Sequence, residues 1–153
     1  MANITTVKEL AVKIAEMRKA QQIFSSYSQA QVDKICHAVA TAAIQARISL
    51  AKLAVQETQM GILEDKILKN HIAAEFVYHK YQNLKTCGIL ETNEELGMQK
   101  VAAPVGLVGA ILSVTSPTSV AIFEILLCLK TRNAIFVSPH PQAKACTCAA
   151  VEL

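Results

Sequence analysis

The chain has 153 residues, 52% hydrophobic and 18% charged, a composition that fits one folded domain and excludes an intrinsically disordered protein. Lysines and arginines number 15 against 12 acidic residues, a net charge of +3 spread singly along the chain, so no nucleic-acid surface is expected. Five cysteines, an odd number, and an opening without a basic then apolar leader point to a cytoplasmic protein with reduced thiols and not to a secreted disulfide framework.

Along the first part, Ile4, Val7, Leu10, Ile14 and Met17 recur at spacings of three and four, which lays one stripe along a helix, and Thr6 with Glu9 fits a capping box at its start. Ser28 with Gln31 offers a second such start. Val32, Ile35, Val39, Ala42, Ala43, Ala46, Leu50, Leu53 and Ala54 then keep a helical period to about Met60, with Gly61 as the expected stop. A third helix is expected from about Glu64 to Leu84, with Ile67, Leu68, Ile72, Phe76, Val77 and Tyr81 on its buried side and Gly88 closing it.

Past Gly88 the period changes. Thr92, Asn93 and Gly97 mark a turn region, and Met98 to Val105 reads as a short strand that Pro104 restricts to an edge or hairpin arm. Leu107, Val108, Ala110, Ile111 and Leu112 form an apolar run of strand length, as expected for a strand covered on both faces. Ser116 offers an N-cap, Pro117 the first helical position, and a helix of some four turns follows through Ile122, Leu126 and Leu129. Asn133 breaks it, and Ala134 to Val137 is a second strand ending at Ser138-Pro139-His140-Pro141. Strand, helix and strand in so few residues make a βαβ crossover, which needs a parallel sheet.

Val101 to Phe123 carries no charge and is long enough to span a bilayer. Pro104, Gly106, Gly109, Pro117 and the hydroxyls of Ser113, Thr115, Ser116, Thr118 and Ser119 argue against a membrane helix there. The expected fold class is therefore α/β: a helical layer over residues 1–90, then a hairpin arm and the first βαβ unit of an incomplete Rossmann-like parallel sheet over residues 91–153. His71, Glu75 and His79 share one side of the third helix but lack the His-Glu-x-x-His arrangement, so no metal site is expected. Cys36, Cys87, Cys128, Cys146 and Cys148 read as small hydrophobes in or near a core.

Several segments resemble one family. They are Met60-Gly61-Ile62-Leu63-Glu64-Asp65-Lys66, Lys69-Asn70-His71, Lys85-Thr86-Cys87-Gly88, Pro117-Thr118-Ser119 with Ala121-Ile122-Phe123, and above all Leu129-Lys130-Thr131-Arg132-Asn133-Ala134-Ile135 with Ser138-Pro139-His140-Pro141. In order and without a large gap they resemble the N-terminal portion of CoA-acylating aldehyde dehydrogenases, most closely the aldehyde dehydrogenase half of bifunctional aldehyde-alcohol dehydrogenases. The resemblance implies that residues 91–153 begin the NAD-binding domain of that oxidoreductase. It also implies the reaction: a cysteine thiolate attacks a small aldehyde such as acetaldehyde, hydride passes to NAD, and CoA takes the acyl group, or the reverse.

In that family the catalytic cysteine lies downstream of the matched region, so the nucleophile is expected to be missing here. The turn after the first strand usually reads Pro, Ser or Thr, Thr, Asn, Pro; here it is Ser113, Val114, Thr115, Ser116, Pro117. By resemblance the oxyanion donor is Thr115 or Ser116, and Ser113, Val114, Ser138 and His140 are the candidate NAD-binding positions. Two strands alone do not make a dinucleotide crevice. The expected function is an N-terminal fragment or degenerate copy of an acylating aldehyde dehydrogenase, inactive by itself and self-associating. The alternative is a helical interaction module that binds a full-length relative.

Overall fold

Two capping boxes set the helical layer. A computed structural model describes residues 4–153. The Thr6 hydroxyl accepts from the Glu9 N–H and the Glu9 carboxylate from the Thr6 N–H, both at 3.2 Å, starting α1 (Val7–Ser25). Ser28 and Gln31 repeat the arrangement at the head of α2 (Gln29–Thr58). Alanines at 40, 43, 51 and 54 line the buried face of α2 with Val32, Cys36 and Leu50, so that neighbouring helices approach its backbone closely.

The end of α2 differs from expectation. Gln59, not Gly61, takes the left-handed cap conformation (φ 55°), and its N–H bonds the Val55 carbonyl. The third helix differs more. It is α3 (Leu63–His71), a π turn (Ile72–Phe76) and α4 (Val77–Tyr81), ending short of Leu84. Lys66, Asn70, Ala73 and Ala74 face inward, whereas Leu68, Ile72 and Phe76, expected on the buried side, are exposed. Lys66 and Asn70 point inward because each finds a hydrogen-bond partner across the interior, and the alanines let α2 and α5 come close. The π turn, whose Val77 N–H reaches the Ile72 carbonyl, adds one residue and rotates the stripe beyond it.

Gly88 opens a strand and does not merely close a helix: β1 (Gly88–Asn93) pairs antiparallel with β2 (Met98–Ala102) around a turn at Gly97 (φ 62°). The sequence reading missed β1. Next come β3 (Leu107–Ile111), α5 (Pro117–Lys130) and β4 (Ala134–Ser138). β3 and β4 are parallel, with Leu107 opposite Ala134 and Ile111 opposite Ser138, as a βαβ unit requires. The uncharged stretch from 101 to 123 is thus split between strands and the start of α5. A 3-10 turn (Pro141–Ala143) and α6 (Lys144–Val151) follow. Contrary to the expectation for β3, one of its faces is bare: Ala110 is buried, but Gly109 is exposed and Ile111 is 91% exposed.

Helices α2, α5 and α6 pack together, with Leu50, Ile122, Leu126 and Ala150 in the core between them and β3. By length and composition alone α2 could cross a membrane, but its buried face serves this core.

The run Lys130 to Asn133 ties the layers. Lys130 Nζ donates to Asp33 of α2 (2.6 Å) and to the Gln82 carbonyl (2.8 Å). Arg132, in the left-handed region (φ 58°), donates to the carbonyls of Ser25 (2.6 Å) and Ala102 (2.9 Å), joining the end of α1 to the end of β2. The Asn133 side chain accepts from the Gly106 N–H (2.8 Å) just before β3. This run, which lies in one of the two segments that carry most of the resemblance, thus holds α1, α2, β2 and β3 together.

Candidate active site

The turn between β3 and α5 lies at the carboxyl ends of two parallel strands, where a sheet offers backbone N–H groups and a positive helix terminus to a ligand. Ser113 and Thr115 are exposed, with their hydroxyl oxygens 3.3 Å apart. Val114 turns inward against Ala54, Ala143 and Cys146. Ser116 occupies the N-cap position of α5, yet its hydroxyl caps no N–H, contrary to expectation. It accepts instead from Lys69 Nζ at 3.3 Å.

Three residues of α3, at positions i, i+3 and i+4, grip this turn from one helix face. Lys66 Nζ donates to the Thr115 carbonyl (3.0 Å), Lys69 reaches Ser116, and the Asn70 amide oxygen accepts from the Thr118 hydroxyl (2.8 Å). The other end of the Asn70 amide donates to the Arg47 carbonyl (3.0 Å), so Asn70 bridges α2 and α5. Burial, and then the charge of Lys69, hold the Lys66 ammonium below the usual lysine pKa. In the sequence Lys66, Lys69 and Asn70 have a place only in the segments that carry the resemblance and no role in the site, because polar side chains at such a spacing read locally as a solvated helix face.

Ser138 lies beside the turn, since the Leu112 N–H donates to its carbonyl at 3.0 Å. The His140 ring bonds within its own loop, where Nδ1 accepts from the Gln142 N–H (3.2 Å). Below them Glu57 of α2 takes the N–H groups of Ala145 (2.8 Å) and Cys146 (2.7 Å), fastening the start of α6. Burial pushes the Glu57 carboxyl up, but the N–H donors, Cys146 first, outweigh it and its pKa falls below 4.5. A carboxylate with a depressed folded pKa stabilises above its unfolded value and loses that contribution as the pH falls through the folded one. The protection factors of the α6 amides, their exchange rates taken relative to the intrinsic rate at each pH, are therefore expected to fall on acidification below about pH 4.5. Glu57→Gln should abolish this pH dependence; equal dependence in both proteins would contradict the assignment.

The five cysteines do not gather at the turn as a thiolate. Burial pushes the Cys36 thiol up to about 11, and burial with the Glu57 carboxylate pushes that of Cys146 up to about 12. Burial also raises Cys128, while Cys87 is buried and Cys148 half-buried. Among the described residues no three His, Cys, Asp or Glu side chains converge on a metal site; His71 pairs with Glu75 at 3.1 Å.

Comparison with known proteins gives a consistent result. The chain is 57% identical over 144 residues to an aldehyde-alcohol dehydrogenase of Clostridium acetobutylicum, covering 94% of this chain and 17% of that protein. It is 49% identical over 150 residues to the bifunctional aldehyde-alcohol dehydrogenase of Escherichia coli K12, again covering 17% of it. It superposes on an acetylating aldehyde dehydrogenase from Geobacillus thermoglucosidasius with a TM-score of 0.92 and 42% identity, over 95% of this chain and 32% of that one. The chain thus spans about a sixth of the length of these curated relatives. No family model matches it.

Proposed function

We propose that this chain, which belongs to the CoA-acylating aldehyde dehydrogenases and corresponds to a part of the aldehyde dehydrogenase region of the aldehyde-alcohol dehydrogenases, supplies the oxyanion-stabilising turn of such an enzyme and is inactive by itself. The observation that carries this reading is the placement of Thr115 and Ser116 at the carboxyl end of β3, on the N-terminus of a 14-residue helix. Negative charge that gathers on an aldehyde oxygen during thiolate addition is stabilised by donors at such a position, each worth about 10²–10³ in rate. Thr115 and Ser116 offer hydroxyls for it.

Inactivity of the isolated chain is supported by the raised thiols of Cys36, Cys128 and Cys146, which leave those three protonated near neutral pH. The residues present do not fit NAD. Among the described residues the sheet has two parallel strands, Val114 packs inward, and His140 is engaged by Gln142, so no dinucleotide crevice is formed. CoA and a small aldehyde are accordingly substrates of a complete enzyme, which we place in the cytoplasm.

The purified chain is expected to leave NADH oxidation with acetyl-CoA at background and to bind NAD no better than about millimolar. Turnover above a buffer control that disappears on changing any one cysteine, or a micromolar constant by calorimetry, would overturn the proposal. A second reading, a module that docks on a full-length relative, is favoured by the bare faces of β3 and α3. Its signature would be a stable complex after mixing with such a relative.

A further inference from the structure

Lys66 fixes the orientation of one peptide plane in the turn. It is 5% exposed, and its Nζ lies 3.0 Å from the Thr115 carbonyl oxygen. The described chain contains no cis peptide bond, and in a trans peptide the carbonyl and the next N–H point in opposite directions. With the Thr115 carbonyl drawn toward α3, the Ser116 N–H is directed away from α3, and it makes no hydrogen bond within the described residues. The following residue is Pro117, which brings no N–H of its own.

The surroundings hold Lys66 in this role. Gly61, whose φ of +72° suits glycine, borders the side chain: a Cβ there would stand in ordinary van der Waals contact with Lys66 Cε at 3.6 Å, so the lysine stem is packed on this side as well. Asn70 and Lys69 fasten Thr118 and the Ser116 hydroxyl from the same helix face, so the plane has little freedom to flip. A cation on a peptide oxygen also polarises that peptide, which strengthens its N–H as a donor.

We propose that Lys66 is a positioning residue that, by holding the Thr115 carbonyl, presents the Ser116 backbone N–H as an oxyanion donor in addition to the hydroxyls of the turn. The inference rests on the reading of the turn given above, and its test separates the two. The probe is acetate, whose carboxylate oxygen stands in for an oxyanion, followed by the amide signals of the full chain in solution. Acetate is expected to move the Ser116 amide signal saturably in the wild type. Lys66→Met should abolish that response while the amides of Leu112 and Val120 stay protected from exchange, and Lys66→Arg, which can donate to the same carbonyl, should restore it.

An equal acetate response in wild type and Lys66→Met overturns the positioning role. If acetate moves no turn amide in the wild type but Lys66→Met still displaces the Ser116 signal, the positioning stands and the oxyanion reading falls. If it does neither, both fall. Should Lys66→Met lose protection of Leu112, the wild-type Thr115 carbonyl carbon decides: a hydrogen-bonded shift supports the inference and a free-carbonyl shift overturns it.

Discussion

Asp33→Ala is expected to destabilise the chain by about 3–5 kcal/mol, the cost of leaving a buried ammonium without its counter-charge. The Lys130 side chain is 6% exposed, whereas that of Asp33 is 41% exposed, so the two members of the pair are not equivalent. Removing the carboxylate leaves Lys130 with the Gln82 carbonyl alone, in a wall lined by Cys36, Val77, Tyr78 and Leu126. Removing the lysine leaves a carboxylate that water reaches. Lys130→Met should therefore cost less than Asp33→Ala, and the double variant should be more stable than Asp33→Ala alone. For a chain of this size the single loss corresponds to a fall in Tm of roughly 10 °C, at about 2–4 °C per kcal/mol. Urea unfolding at matched protein concentration measures it. A change within about 0.5 kcal/mol, the range of ordinary surface substitutions, would show that the pair is not what anchors α5 to α2.

The comparison of sequence with structure has a physical pattern. Features set by neighbours in the chain were legible: both capping boxes, Pro117 at the head of α5, and the strand-helix-strand order, each decided within a few residues. The inward face of α3 was not, because apolar periodicity pointed to Leu68, Ile72 and Phe76. A hydrogen bond that Lys66 donates to a carbonyl 49 positions away and one that Asn70 accepts from a hydroxyl 48 positions away decide that face, and no local pattern records them. β1 was hidden because Gly88 reads as a helix stop and Asn93 to Gly97 as a turn, leaving few residues in which alternation could show. At the candidate site, the turn was found from the strand preceding it and from Pro117, while its supports on α3 required the tertiary structure.

Self-association of the isolated chain is the second large effect expected. Ile111 and Gly109 stand out from β3 on a face with no cover, and Val105 just before it is 87% exposed. Leu68, Ile72 and Phe76 make a second apolar stripe on α3 and the π turn, and Ile89, Leu96, Met98 and Val101 a third group on the β1–β2 ribbon. Each described sheet has two strands, and a sheet of two strands keeps both outer edges open to pairing and is marginal without packing on its faces. Apolar surface beside unpaired backbone favours edge-to-edge association. Sedimentation velocity over a range of concentrations should show a weight-average mass that rises with concentration. Ile111→Lys, which puts a charge on the bare face of β3 without touching the core, should lower that mass if this face is the seat of association. Amide exchange supplies the independent reading: the core amides of α2 and α5 should be the most protected, and those of β3 and β4 should gain protection as the chain associates. A monodisperse monomer with both strands strongly protected would show that the chain completes its own fold, and would replace the reading of a segment that needs covering with that of a stand-alone module.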